Sequence, residues 1–224
     1  IIGGIIGAVA AHDGFSVLHW AGLKKIILSL IISPVVGTAI GFIFMVLLMW
    51  GFRRTSPAPL NKGFRKLQIG SAAVMAFSHG TADAQKSMGV ITMAMVSYGI
   101  LPVFDVPLWV KISCALAMGL GTAAGGWRII KTVGKDFVKL QPVHGFCVET
   151  ASAGVIMGAS SIGMPVSTTH VITSAILGVG LSKRLTAVNW NVAGRILVAW
   201  VLTIPASAIV AGITYLVLSP FLGQ

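Results

Sequence analysis

Apolar runs of membrane-spanning length make up most of this chain, and two short polar islands sit inside them. The first island is Phe77-Ser78-His79-Gly80-Thr81-Ala82-Asp83-Ala84-Gln85-Lys86; the second is Pro165-Val166-Ser167-Thr168-Thr169-His170. A water-soluble fold cannot bury so much apolar surface. Here 56% of residues are apolar and 9% charged, whereas soluble domains carry about 25% charged residues. Mean hydropathy is +0.94. The pattern predicts an all-α polytopic membrane protein, because helices satisfy their own backbone polar groups in lipid. Twenty-seven glycines suit close helix packing in that setting.

Polar and ionisable side chains at membrane depth are costly, so the islands read as a transport path or a binding site. Each also carries a helix breaker, Gly80 in the first and Pro165 in the second. Broken helices at membrane depth aim half-helix N-termini at anions. The first reading is therefore a carrier for a small anion. The net charge of +11 does not point to nucleic acid, because the basic residues cluster between apolar segments, as the positive-inside rule expects of cytoplasmic loops. Cys114 and Cys147 lie far apart in apolar stretches, with no metal or redox spacing, and read as small packing residues.

The segments expected are as follows. Residues 1–52 hold the end of an apolar helix, a loop at 11–22 and a span at 24–52 kinked near Pro34. Residues 53–66 form a basic cytoplasmic loop. In the second part, 67–224, a helix over 67–102 breaks at Gly80, because it is too long for one straight crossing. A span at 107–127 and a basic stretch at 128–140 follow. Two short arms over 143–180, joined around Gly163-Met164-Pro165, form a re-entrant hairpin, and 193–218 is the last span. Trp20, Trp109, Trp127 and Trp190 fall near segment ends as interfacial anchors. Lys24 and Lys25 fall on the outer side in this topology, against the positive-inside rule.

The spans 24–52 and 193–218 read as copies. Gly7, Trp20 and Pro34 recur as Gly178, Trp190 and Pro205, offset by about 171 residues. Opposite orientation of the two spans predicts an inverted-topology repeat. The partner of the first island would then precede residue 1, and the start in mid-helix at Ile1 reads as part of a longer protein.

Three stretches carry a family resemblance. Phe77 to Lys86, running on through Ser87-Met88-Gly89, is one. Gly126-Trp127-Arg128-Ile129-Ile130-Lys131-Thr132-Val133-Gly134 is the second. Glu149-Thr150-Ala151-Ser152-Ala153, continuing to Pro165–His170, is the third. In this order, over essentially the whole chain, they resemble the inorganic phosphate transporter (Pit) family. The family's full proteins carry a matching motif in their first half. One position departs: Ala82 stands where the family usually has Asn.

The resemblance implies secondary active transport of inorganic phosphate, coupled to Na⁺ or H⁺, by alternating access around a midplane site. A phosphate site needs many donors and little fixed positive charge. Ser167, Thr168 and Thr169 supply hydroxyls and amides at a half-helix start, with Thr81, Gln85 and Ser78 as further phosphate-binding candidates. Asp83 is a coupling-cation ligand, a proton carrier, or the salt-bridge partner of Lys86 three residues on. Glu149 and Ser160 are further cation candidates. His79 and His170 serve as proton or hydrogen-bond groups, and no metal set with fixed spacing accompanies them.

No cofactor beyond the coupling ion is expected. The partners expected are phosphate and the lipid bilayer, with a homodimer left open and no nucleic acid; the location implied is the plasma membrane, multi-pass. Three alternatives stand beside this reading: a passive anion channel, a carrier of a related oxyanion such as sulfate, and an intramembrane enzyme using His79, Asp83, Ser167 and His170. No nucleophile-elbow context supports the enzyme, and polar residues confined to two islands favour a carrier over a channel.

Overall fold

The computed structural model describes residues 1–131, 137–138 and 140–221. Among the described residues the regular structure is helical: α1 Ile2–Asp13, α2 Trp20–Gly51, α3 Pro57–Ser97, α4 Leu108–Lys131, α5 Pro142–Ser161, α6 Thr168–Lys183 and α7 Trp190–Leu218, with 3₁₀ turns at Phe15–Val17, Leu185–Ala187 and Ser219–Phe221. Three stretches are long and apolar enough to cross a bilayer: Trp20–Gly51, Leu108–Gly126 and Trp190–Phe221. The chain is thus a helical membrane protein. Of the basic stretch 128–140, residues 132–136 and 139 lie outside the described residues, Lys135 and Lys139 among them, as do Thr132, Val133 and Gly134 of the second motif.

The chain divides into two compact units, Ile1–Lys25 with Trp190–Gln224, and Ile26–Asn189. The first is held by α1 against α7. Gly3 and Gly7 make this possible. A Cβ on Gly3 would strike the Ser207 hydroxyl and the Ile204 carbonyl, and one on Gly7 would strike the Ala208 backbone. Small residues spaced by four let two backbones approach where lipid offers no hydrophobic drive between helices.

The second unit uses the same device on α2. Its buried residues Ser29, Ser33, Gly37, Gly41 and Met45 recur every fourth position, so they form one stripe. Gly37 lies against Val171 and Ser174 of α6, and Gly41 against Ala175. On the facing side Gly178 leaves no room for a side chain next to Thr38 and Phe42 of α2. Gly178→Val is therefore expected to force the two backbones apart, at about 1–3 kcal/mol, and to lower the melting temperature in detergent. Gly70→Val, at a position open to its surroundings, is the control that should leave it in place.

The expected break at Gly80 does not occur: α3 is one helix of 41 residues, Pro57–Ser97. The helix also begins earlier than expected. A proline in the first turn opens it, so Lys62, Arg65 and Lys66 ride on its first turns and do not belong to a loop. At about 1.5 Å per residue α3 is roughly 60 Å long, about twice the hydrocarbon thickness. A lone glycine costs a helix only about 1 kcal/mol, whereas surrendering backbone bonds in lipid costs several. The nearby hydroxyls also bond along the helix: Ser78 donates to the Val74 carbonyl at 2.8 Å and Thr81 to the Phe77 carbonyl at 2.7 Å.

The break expected at Pro165 is present. Residues 162–167 turn the chain between α5 and α6, with Gly163 at φ 65°, a conformation glycine adopts without strain. Pro34 does not interrupt α2. It has no N–H for the carbonyl four residues back, that of Leu30, and His170 hydrogen-bonds the Leu30 backbone from the first turn of α6. The sequence recurrence has a counterpart in local structure: a helix, a 3₁₀ turn, then a helix that starts at Trp and contains Pro occurs at α1–α2 and again at α6–α7.

Candidate anion and cation site

The two polar islands meet. Asp83, projecting from the middle of α3, is the hub. Its carboxylate accepts from Lys86 Nζ at 2.8 Å and faces His79 Nε2 at 2.9 Å, both on its own helix. From the second island it accepts from Thr168 Oγ1, 3.1 Å from one carboxylate oxygen and 3.3 Å from the other. Thr168 is the first residue of α6 and is 2% exposed, so this hydroxyl has no solvent to turn to. Lys86 Nζ also donates to the Val166 carbonyl at 3.3 Å. The Asp83–Lys86 salt bridge is therefore real. It coexists with ligation from the second island.

The seat of this hub is apolar. Met75, Ala153, Ile156, Val166 and Val171 form a buried cluster, with Ala82 packed against it. Ala82 thus turns its methyl to the α5–α6 side, at the position where the resemblance expects Asn. The loop between α5 and α6 is pinned from a third element: Ser29 of α2 donates to the Pro165 carbonyl at 2.7 Å.

The second island caps α6. Ser167 is the N-cap, its hydroxyl accepting from the His170 amide at 3.4 Å, which leaves the hydroxyl proton able to donate elsewhere. Thr169 is exposed. The three hydroxylated residues therefore point to three tasks: Ser167 caps, Thr168 holds Asp83, and Thr169 stands open. The start of a 16-residue helix also offers amide donors and the positive end of its dipole.

Ser78, Thr81, Gln85 and Ser160 gather around a cavity of about 210 Å³ between α3 and α5. Ser78 and Thr81 spend their protons on α3 carbonyls. Gln85 and Ser160 are exposed at its rim. Four of the expected phosphate and cation candidates thus share one space.

Glu149 is not part of the Asp83 cluster. On α5 it accepts from Ser71 Oγ at 2.5 Å and from Gln68 Nε2 at 3.4 Å. Ser71 precedes Asp83 by twelve residues, about 18 Å along the helix. Gly145 makes the Gln68 contact possible, since a Cβ there would overlap the Gln68 amide. Sequence reasoning missed Gln68 and Ser71. The signal was present: they are polar residues in an apolar stretch, and Ser71, Met75 and Ser78 share one helical face.

The unbroken α3 also changes where a cation could find oxygen. No carbonyl of the first island is freed by a break. The free oxygens around Asp83 come from the second island, the Val166 carbonyl and the Thr168 hydroxyl. Together with the carboxylate they form a hard oxygen set, now bridged by the Lys86 ammonium. Among the described residues, no group of three or more His, Cys, Asp or Glu gathers in a way that would hold a metal ion.

A family model described as "Phosphate transporter family" matches residues 1–61 and 52–211. A protein of Bacillus subtilis (strain 168), named "Probable low-affinity inorganic phosphate transporter", is 48% identical over 98% of this chain and 66% of its own length. One of Rhizobium meliloti (strain 1021), bearing the same name, is 44% identical over 96% of this chain and 65% of its own. The chain thus spans just under two thirds of the length of these relatives. A solved structure titled "The sodium-dependent phosphate transporter" shares the fold, with a TM-score of 0.83 over 97% of this chain and 72% of that one, at 24% identity. These relatives are transporters and not enzymes.

Proposed function

This chain belongs to the phosphate transporter family, and on that footing we propose that it takes part in secondary transport of inorganic phosphate across the plasma membrane, coupled to Na⁺ or H⁺, by alternating access. The observation that carries the reading is the junction of the two islands at Asp83 and Thr168. A carboxylate lying beside a helix start supports a paired cation and anion role.

Lys86 serves as an internal stand-in for the coupling cation. Its ammonium bridges Asp83 and the Val166 carbonyl, two oxygens that a bound Na⁺ would take together with Thr168 Oγ1. Entry of Na⁺ displaces Lys86, which then has its positive charge available for phosphate. Ser167, Thr169, Gln85 and Ser160 supply uncharged donors, and Ser78 and Thr81 join them after turning away from α3 carbonyls. His79, against Asp83, gives the proton-coupled version a specific path: a proton carried by the pair replaces Na⁺ as the displacing charge. Glu149, held by Ser71 and Gln68 about 18 Å along α3 from Asp83, is too distant to share one cation with it.

The test is radiolabelled phosphate uptake by the protein expressed from its complete gene, in cells without phosphate transporters of their own. Uptake that follows the Na⁺ gradient, is competed poorly by sulfate, and falls about tenfold in Ser167→Ala supports the sodium version; one hydrogen bond to a charged ligand is worth about 1.5–3 kcal/mol. Uptake indifferent to Na⁺ and abolished by a protonophore assigns the coupling to H⁺. Non-saturable flux that simply follows the phosphate gradient would identify a channel instead.

A further inference from the structure

A second, larger cavity of about 940 Å³ lies between α3 and α4. Its lining is mostly apolar, but the polar residues Gln85, Thr81 and His79 of α3 and Lys111 of α4 belong to it. Lys111 lies in the first turns of α4, at the edge of the span Leu108–Gly126. Among the described residues no carboxylate pairs with it. His79 belongs to two places at once. It lines this cavity, and its Nε2 sits 2.9 Å from Asp83. His79 thus stands between the cavity and Asp83.

We propose that the α3–α4 cavity is the path by which the free phosphate anion reaches the Asp83–Thr168 site, with Lys111 selecting for negative charge at its mouth. The proposal rests on the function proposed above. An unpaired ammonium in a cleft with low-dielectric walls focuses its field and concentrates anions. A single compact charge without a matching fork binds phosphate loosely enough to release it. From Lys111 the anion passes Gln85 and Thr81, whose amide and hydroxyl donors replace water, and arrives at His79. A lysine near the end of a span often only extends to the interface. The polar groups facing Lys111 across the cavity, and the contact of that wall with Asp83, are what a merely interfacial lysine would lack.

Gly119 supplies a plug. It lines the cavity, and a Cβ built on it meets nothing within 4 Å, so a larger side chain fills the path without disturbing the helix. Gly121, two residues on, is equally open but does not line the cavity. In vesicles of phosphatidylcholine containing the protein from its complete gene, Lys111→Gln should raise KM for phosphate by about tenfold at low ionic strength, within the range by which focused fields accelerate association. It should leave kcat unchanged and flatten the salt dependence of kcat/KM; Lys111→Arg should restore both. Gly119→Leu should lower kcat/KM at least tenfold, and Gly121→Leu should not. Lys111→Cys provides a check independent of folding: a cationic aminoethyl thiosulfonate adduct restores KM, and an anionic sulfonatoethyl adduct worsens it.

Normal uptake, KM and salt dependence in Lys111→Gln, together with an active Gly119→Leu, would overturn this path while leaving the transport function in place. Equal effects of both thiol adducts would overturn the charge role of Lys111. A Lys111→Gln defect that appears only when phosphatidylglycerol is added would assign the ammonium to a lipid headgroup and overturn the proposal. No phosphate uptake by the unaltered protein would remove the function and this path together.

Discussion

Asp83→Asn is expected to reduce phosphate uptake by about a hundredfold or more at unchanged amounts of protein in the membrane. Three donors converge on the Asp83 carboxylate: Lys86, His79 and Thr168. The amide removes the charge and offers a single acceptor oxygen, and its N–H₂ cannot accept from the Lys86 ammonium. Hydrogen bonds to a charged group are worth about 1.5–3 kcal/mol each, and losing two passes the roughly 2.8 kcal/mol that corresponds to a hundredfold. The Lys86 ammonium would also lose its counter-charge. Initial rates of uptake, normalised to protein in the membrane, check this. A decline of less than about tenfold would show that the carboxylate is structural and that coupling resides elsewhere.

Thr168→Val tests the other side of the junction. Valine keeps the shape of threonine and removes only the hydroxyl. At 2% exposure no water replaces the lost bond to Asp83. One charge-assisted hydrogen bond predicts a fall of about ten- to a hundredfold in kcat/KM, and for a sodium-coupled carrier the effect should appear as a raised KM for Na⁺. Thr203→Val on α7 is the control. That threonine is exposed and bonds only to the Ala199 carbonyl of its own helix, and its loss should stay within about 0.5 kcal/mol. If Thr168→Val and Thr203→Val behave alike, the hydrogen bond to Asp83 carries no function.

The class and the two islands that meet at Asp83 and Thr168 were legible in the sequence for one physical reason: lipid makes polar side chains rare, so the few that remain stand out. The turn before Thr168 was legible too, through a proline, whereas the spans expected at 24–52 and 193–218 begin three to four residues earlier, at Trp20 and Trp190. Gly80 misled, because a glycine permits a break without requiring one. Proline at 165 removes a donor, whereas glycine at 80 removes nothing, and the hydroxyls of Ser78 and Thr81 can bond along an intact helix. The pairing of Glu149 with Ser71 and Gln68 was hidden for a different reason. It depends on the register of α3 against α5, and that register turns on Gly145, whose missing side chain has meaning only once the two helices are set together.

Pro34 bears on how this chain is assembled. When α2 enters the membrane, the Leu30 carbonyl has no helical donor, and a backbone group left unsatisfied in hydrocarbon costs several kcal/mol. The group that answers it, His170, is synthesised some 140 residues later and arrives only with α6. Until then α2 must keep water or a neighbour at that depth. Docking of α6 thus completes a helix that was inserted long before it. The polar step is matched by a steric one, since Gly37, Gly41 and Gly178 permit close approach of the same two helices. Completion of α2 and docking of α6 therefore depend on the same contacts.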